Sequence, residues 1–232
     1  MNTPRVHALI PAAGSGTRFG GSVLKQYLPI NGNTVLAHSI KALRFHPLIT
    51  DITVILAKDD QWFESATGLL STLVETIQGG ETRAQSVRNG LRFIMSRFPD
   101  TDWVLIHDAA RPCLPAESLD RLLEQGLQSP DGAILAVPVA DTLKCEGDEA
   151  EIATTLDRFK LWAAQTPQLF PLGRLAEAID AAHAKGCELT DESSAMEILG
   201  ARPKLIMGSV ANIKITHPGD LAIAQAWLQC QH

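Results

Sequence analysis

The sequence predicts an α/β fold: a Rossmann-like, mainly parallel twisted sheet with helices on both faces, plus an extended β-arm used in dimerisation. Three observations carry this reading. Short, continuous apolar runs alternate with segments of helical period. Such runs read as strands covered on both faces, which is how parallel sheets are built. A glycine-rich stretch follows the first run, at the place where open α/β sheets bind ligands. One segment, residues 139–162, has no helix where a crossover belongs.

The elements follow in order. Residues 6–10 form a first strand, and the glycine loop "LIPAAGSGTRFG" continues from it. "TVLAHSIKALRFHP" has apolar residues at helical spacing and stops at Pro47. "DITVILA" is a second strand, and "VETIQ" a short third one cut off by Gly79 and Gly80. "TRAQSVRNGLRFI" reads as a helix, with Thr82 and Gln85 in capping-box spacing. "DWVLIHD" is a strongly apolar strand ending in charge, "ESLDRLLEQGL" a helix and "GAILAVPV" another strand. "RLAEAIDAAHAKG" is a helix closed by Gly186 at C′. "KLIMGS" and "NIKIT" are late short strands, and "GDLAIAQAWLQ" is a terminal amphipathic helix.

Residues 139–162 look like two extended arms, "DTLK" and "ATTLDR", around the acidic tip "EGDEAE". A hairpin leaving the body of a domain is exposed unless something covers it, so a partner subunit is expected there; a surface insertion is the alternative.

The chain of 232 residues is 45% hydrophobic and 20% charged, which suits one domain spanning residues 1–232 with the arm inside it. The net charge of −6 argues against a clamp for duplex nucleic acid. Cys113, Cys145, Cys187 and Cys230 form no CxxC pair, and the histidines form no HExxH. No zinc site is signalled, and scattered reduced thiols fit a cytoplasmic protein. No signal peptide and no apolar stretch of membrane-spanning length is expected.

Several machines use glycine loops. A dinucleotide fingerprint needs G-x-G-x-x-G. Gly14 and Gly16 fit, but Phe19 holds the third position and Gly20 comes one residue late. The acidic residue expected about 20 positions on is missing, since "LAKDD" lies nearer 40 on. A P-loop needs Gly-Lys-Ser/Thr after its second glycine, and here Ser22 and Val23 follow Gly21. What remains is an anion loop in which Gly14 and Gly16 admit backbone N–H groups, and Arg18 and Lys25 add two cations. Arg18 can fork across phosphate oxygens and Lys25 is a mobile point charge, a set suited to a triphosphate. From spacing alone, the alternative of two solvated residues beside a tight turn stays open.

"PAAGSGTRFG" followed by "LKQYLPINGNTVLAHSI" resembles the signature of nucleotidyltransferases that activate sugar and polyol phosphates. "GGETRAQSVRNGL", "VLIHDAARP", "DTLK", "TPQLF", "TDESSAMEILG" and "NIKIT" continue the resemblance in order. Together they are similar to the 2-C-methyl-D-erythritol 4-phosphate cytidylyltransferases of the non-mevalonate isoprenoid pathway. The resemblance implies cytidylyl transfer from CTP to 2-C-methyl-D-erythritol 4-phosphate, with release of pyrophosphate. A close relative such as a ribitol-5-phosphate cytidylyltransferase is the alternative.

On that resemblance, Arg18 and Lys25 hold the triphosphate, with Lys25 and Lys214 near the α-phosphate. Ala12, Ala13, Gly80, Glu81 and the Ser86 hydroxyl lie in the segments used for the base. Asp108, Arg111, Thr142, Arg158 and Thr166 bind the polyol phosphate, Thr142 and Arg158 reaching over the arm to the twin subunit of a homodimer. Lys144 on the arm is less clearly assigned. Mg²⁺, or another divalent metal, is expected on the CTP phosphates, with Asp108 as a possible ligand. Arg83 matches the pattern of the segment "ETRAQSV", as a ligand contact or as a first-turn residue paired to an acid. Asp108 alternatively caps the turn that follows it. His107 reads as structural, because a phosphate nucleophile needs no general base. A non-catalytic module that kept the fold is a further class, and an NAD-dependent oxidoreductase falls on glycine spacing.

Overall fold

The computed structural model describes residues 4–14 and 23–230. A seven-stranded sheet organises them. In chain order its strands are β1 (Val6–Pro11), β4 (Ile49–Leu56), β5 (Glu75–Gln78), β6 (Trp103–Ile106), β7 (Ala133–Pro138), β10 (Trp162–Pro171) and β11 (Lys204–Met207). Across the sheet they run β11-β7-β10-β6-β1-β4-β5. Every pairing is parallel except the two made by β10, which lies antiparallel to both β6 and β7. Two small hairpins complete the strands: β2 (Pro29–Ile30) with β3 (Asn33–Thr34), and β8 (Lys144–Glu146) with β9 (Ile152–Thr155).

Helices cover both faces. Successive strand residues point to opposite sides. Ala8 and Ile10 therefore pack with Leu36 and Ile40 of α1 (Val35–Arg44) and Leu119 and Leu122 of α4 (Ala116–Gly126). Leu9 and Ile106 pack on the other side with Val87 and Leu91 of α3 (Arg83–Met95), Leu175 and Ile179 of α5 (Leu172–Ala184) and Met196 of α6 (Glu192–Ile198). Each fully buried Leu, Ile, Val or Met among these contributes about 1.5–3 kcal/mol. A short α2 (Phe63–Thr67) precedes β5. The last helix, α7 (Pro218–Gln229), closes a third cluster over Ile30, Val35, Cys113 and Ile215. It buries Ala224 and Leu228 and leaves Ile223 and Trp227 outward.

Local chemistry explains the ends. The Thr34 hydroxyl accepts from the Ala37 N–H to start α1, and the Thr82 hydroxyl accepts from Gln85 N–H to start α3. Gln85 does reach back, but to the N–H of Glu81 rather than to that of Thr82. Gly186 follows α5 at φ +66°, a conformation that side chains with a Cβ rarely adopt.

One expectation changes, and two elements are added to the sequence reading. Residues 212–216 form no strand; their backbone is bonded to neighbouring loops and side chains, as described below. "TPQLF" lies inside a ten-residue strand, β10, at the centre of the sheet. Residues 192–198 are helical, which the sequence reading left open. The hairpin within 139–162 is present: Lys144 pairs with Thr155 and Cys145 with Thr154. Residues 151–160 are all exposed, Phe159 to 90%. A free two-stranded ribbon is marginal in water.

Candidate active site

The carboxyl ends of β1, β5 and β6 and the segment before α7 surround a pocket of about 300 Å³. Residues 11–14 leave β1 along one wall. Gly80, Glu81, Thr82, Arg83 and Ser86 form a second wall at the start of α3. Asp108, Ala109 and Ala110 form a third after β6, and Lys25, Gln26 and Lys214 complete the lining. This is where an open α/β sheet holds its ligand.

Two devices bring the first walls together. The buried Gln26 donates through Nε2 to the carbonyls of Ala12 (2.8 Å) and Gly14 (3.3 Å), tying the glycine loop to the segment that carries Lys25. At Gly79, a Cβ would stand 2.7 Å from Ala13 Cβ and 2.8 Å from Ser86 Oγ, so only glycine lets the two loops approach this closely. Ser86 Oγ accepts from Gly80 N–H (3.1 Å) and donates to Thr82 O (2.9 Å). Its hydroxyl thus shapes the wall.

Asp108 is the electrostatic centre. It is buried, with its Oδ1 3.2 Å from Arg83 NH2 and its Oδ2 3.0 Å from Lys214 Nζ and 3.4 Å from Arg111 Nε. Burial pushes its pKa up, but Arg83, Lys214 and Arg111 together hold it well below the usual carboxylate range. Behind it runs a chain of bonds. The Asp108 N–H donates to Thr166 Oγ1 (2.9 Å), which faces His107 Nδ1 (3.2 Å), while His107 Nε2 faces the Arg111 carbonyl (3.1 Å). A carbonyl only accepts, so Nε2 carries the proton and Nδ1 takes that of Thr166. Burial drives the His107 pKa down to about 4. It is a neutral structural imidazole at physiological pH.

The strap carrying Lys214 is pinned from several sides. Arg111 NH1 donates to the Asn212 carbonyl (2.6 Å), Ile215 N–H to the Ala110 carbonyl (2.9 Å), and Lys25 Nζ to the Ile215 carbonyl (3.2 Å). The N–H groups of Thr216 and His217 both donate to Asp220 Oδ2. These contacts replace the ladder that a strand would have supplied.

Of the residues singled out in the sequence, Ala12, Ala13, Gly14, Lys25, Gly80, Glu81, Ser86, Asp108 and Lys214 line this one pocket. Gly16 and Arg18 lie outside the described residues. Arg111 and Thr166 are buried behind Asp108 and hold it in place. Thr142 and Arg158 are exposed on the arm and line no part of the pocket; Arg158 bonds the Ala140 carbonyl. Sequence reasoning missed Gln26, Asn212 and Glu192. Glu192 grips Arg83 with both oxygens, NH1–Oε1 at 2.5 Å and NH2–Oε2 at 3.0 Å. Arg83, which the motif leaves open between a ligand contact and a partner of an acid, pairs with two acids and lines the pocket.

The arrangement gathers positive charge around one carboxylate, which suits anionic ligands. Both Asp108 oxygens already face cations, and among the described residues no three His, Cys, Asp or Glu side chains cluster as ligands. No helix of the described residues is long and apolar enough to cross a membrane.

The model for 2-C-methyl-D-erythritol 4-phosphate cytidylyltransferase (IspD) matches residues 6–230. A protein of that name from Dechloromonas aromatica is 46% identical over 98% of this chain and 99% of its own. One from Xanthomonas euvesicatoria is 48% identical over 95% of this chain and 83% of its own. Among solved structures, a 4-diphosphocytidyl-2C-methyl-D-erythritol synthase superposes with a TM-score of 0.85 at 42% identity, covering 97% of this chain and 99% of its own. The Francisella tularensis cytidylyltransferase does so at 0.82 and 35%, covering 96% and 99%.

Proposed function

The chain belongs to the 2-C-methyl-D-erythritol 4-phosphate cytidylyltransferase family and transfers a cytidylyl group from CTP to that polyol phosphate; we propose that it does so by direct in-line attack, without a protein nucleophile. An oxygen of the substrate phosphate bonds to the α-phosphorus of CTP as the bond to the β-phosphate oxygen breaks. The products are 4-diphosphocytidyl-2-C-methyl-D-erythritol and pyrophosphate. The phosphate monoester is already an anion, so no general base is needed, in keeping with the neutral, buried His107.

The observation that carries this reading is the cationic cluster on Asp108, facing the glycine loop across the pocket. Catalysis then rests on positioning and charge stabilisation. Lys214, whose side chain is 39% exposed, is the member able to exchange Asp108 for an incoming phosphate. Lys25 stands beside the same strap, its Nζ donating to the Ile215 carbonyl, and Arg18 is assigned to the triphosphate from the motif. The backbone at Ala12, Ala13, Gly80 and Glu81 flanks the base, while Asp108 and Arg111 serve the polyol-phosphate side.

Mg²⁺ is proposed to arrive on the triphosphate oxygens, where a bound divalent ion neutralises charge between phosphates. Asp108, saturated by cations, is not proposed as its ligand. The exposed Thr142 and Arg158 are proposed to complete the pocket of a second copy, making the enzyme a homodimer through the 139–162 arm. Four free thiols and the use of CTP support a cytoplasmic setting.

Pyrophosphate release tests the activity. It is expected only with CTP, Mg²⁺ and 2-C-methyl-D-erythritol 4-phosphate together; turnover of ribitol 5-phosphate in its place would overturn the substrate assignment. The composite site is tested by mixing inactive Arg158→Ala and Lys25→Ala chains. Hybrid dimers should regain one working site, and hybrids shown to form but inactive would refute arm exchange.

A further inference from the structure

We propose that Glu192 is a positioning residue for the transfer reaction, acting through Arg83 to hold Asp108 and thereby Lys214 in register. The proposal rests on the pocket being the site of transfer and adds a residue that does not line it. Glu192 lies in the first turn of α6, with its side chain 3% exposed. A buried carboxylate is costly unless strongly paired. Burial raises its pKa, and Arg83 is the cation that opposes this. Such a group is poorly explained as a source of stability, since an apolar residue of similar volume would commonly serve the core as well.

Its geometry is that of a clamp. Two parallel contacts fix the guanidinium plane, which one contact would leave free to rotate. In that plane Arg83 NH2 meets Asp108 Oδ1 as well as Glu192 Oε2. Oδ1 of Asp108 is therefore taken by Arg83, and Oδ2 is presented to Lys214. Without the clamp, Arg83 can turn away, Asp108 can rotate, and Lys214 loses a defined station beside the reacting phosphates.

The carboxylate is itself held from behind. The Gln168 side chain, on β10, donates to Asp191 Oδ2 (2.9 Å) and accepts from the Ser193 N–H (3.0 Å). One amide thus grips the residues on both sides of Glu192. Asp191 also caps α6 through the Ser194 N–H (2.9 Å). The result is a rigid path from a central strand through Glu192 and Arg83 to Asp108.

The test is a double-mutant cycle on kcat and KM. Glu192→Gln keeps the shape but presents an amide N–H to the guanidinium. It is expected to lower kcat at least 10-fold, with KM for CTP changed less than 3-fold. Arg83→Gln is expected to lower kcat further, and the double variant to be no slower than Arg83→Gln alone, because Glu192 acts only through Arg83. Multiplicative losses in the double variant, or a folded Glu192→Gln enzyme at the full rate, would overturn the proposal. If Glu192→Gln fails to fold, Glu192→Asp carries the test: the shorter carboxylate should be slow, with the same dependence on Arg83, and full activity would refute it. Pyrophosphate release by the unaltered chain stands as the separate check on the reaction, so an inactive parent and an unneeded Glu192 give different results.

Discussion

Replacing His7 with leucine should destabilise the protein by an amount that shrinks as pH rises. His7 is fully buried in β1, at the end of the sheet opposite the pocket. Its Nδ1 lies 2.8 Å from Asp51 Oδ2 and its Nε2 lies 3.0 Å from Asp102 Oδ2, and the ring packs on Phe98 at 4.2 Å between centroids. A carboxylate only accepts, so both contacts are satisfied together only by the doubly protonated ring. Burial alone would lower the His7 pKa, but the two aspartates outweigh it and the net direction is upward. A group whose folded pKa is raised stabilises the fold fully below its unfolded value of about 6.5. That stabilisation is lost as pH climbs through the higher folded value.

Breaking a buried pair costs about 3–5 kcal/mol. Asp51 and Asp102 keep 27% and 12% side-chain exposure, so the low end applies, about 3 kcal/mol for His7→Leu at pH 5.5. At about 2–4 °C per kcal/mol for a chain of this size, Tm should fall by about 6–12 °C. Above the folded pKa the parent has lost one donor, and the gap should narrow by about 1.4 kcal/mol for each unit by which that pKa is raised. Urea unfolding of both proteins at pH 5.5 and pH 9 measures this directly. An equal gap at the two pH values would show that folding does not raise the His7 pKa, and a gap that widens with pH would show a neutral ring; either result refutes the charged bridge.

Gly79→Ala should force the Ala13 and Ser86 walls apart, because its new Cβ would sit 2.7 Å from Ala13 Cβ. About 1–3 kcal/mol of stability should be lost, and KM for CTP should rise at least 10-fold in steady-state assays. Lys214→Met should lower kcat by about 100-fold or more at saturating substrates, as loss of a transition-state charge contact does, with thermal stability largely kept. Thr166→Val removes the acceptor for the Asp108 N–H and should cost about 1–3 kcal/mol in denaturant unfolding. EDTA should abolish turnover, and added Mg²⁺ should restore it, while circular dichroism stays unchanged.

Much of this was legible because burial on both faces leaves a plain mark. β1, β6 and β7 are apolar almost throughout, and β4 is so over its second half, so their runs stand out against the helical segments between them. β10 hid for the opposite reason. Its Gln165, Thr166 and Gln168 are polar yet buried, because they serve Asn212, Asp108 and α6 rather than solvent. "NIKIT" alternates like a half-buried strand, but pins from Arg111, Lys25 and Ala110 hold its backbone, and no local pattern announces those. Most pocket residues, Gln26 apart, stand out through their motifs. Glu192 does not, since its partner Arg83 is 109 positions away and only the folded sheet brings them together. The arm shows itself in the sequence as a missing helix.

The place of β10 has a consequence for how the chain is made. β7 and β11 join the sheet through β10, which follows β7 by residues 139–161. At roughly 5–20 residues per second, a ribosome emits β7 about one to five seconds before the strand that admits it. During that interval β7 has a bare edge on either side, and so does β6 where β10 will lie. Half of the sheet must then condense on the other half late, after translation has passed residue 171 and before Lys204–Met207 can add its edge. A nascent chain stalled between β7 and β10 would expose three strand edges, which makes that stretch the natural point for a chaperone to intervene.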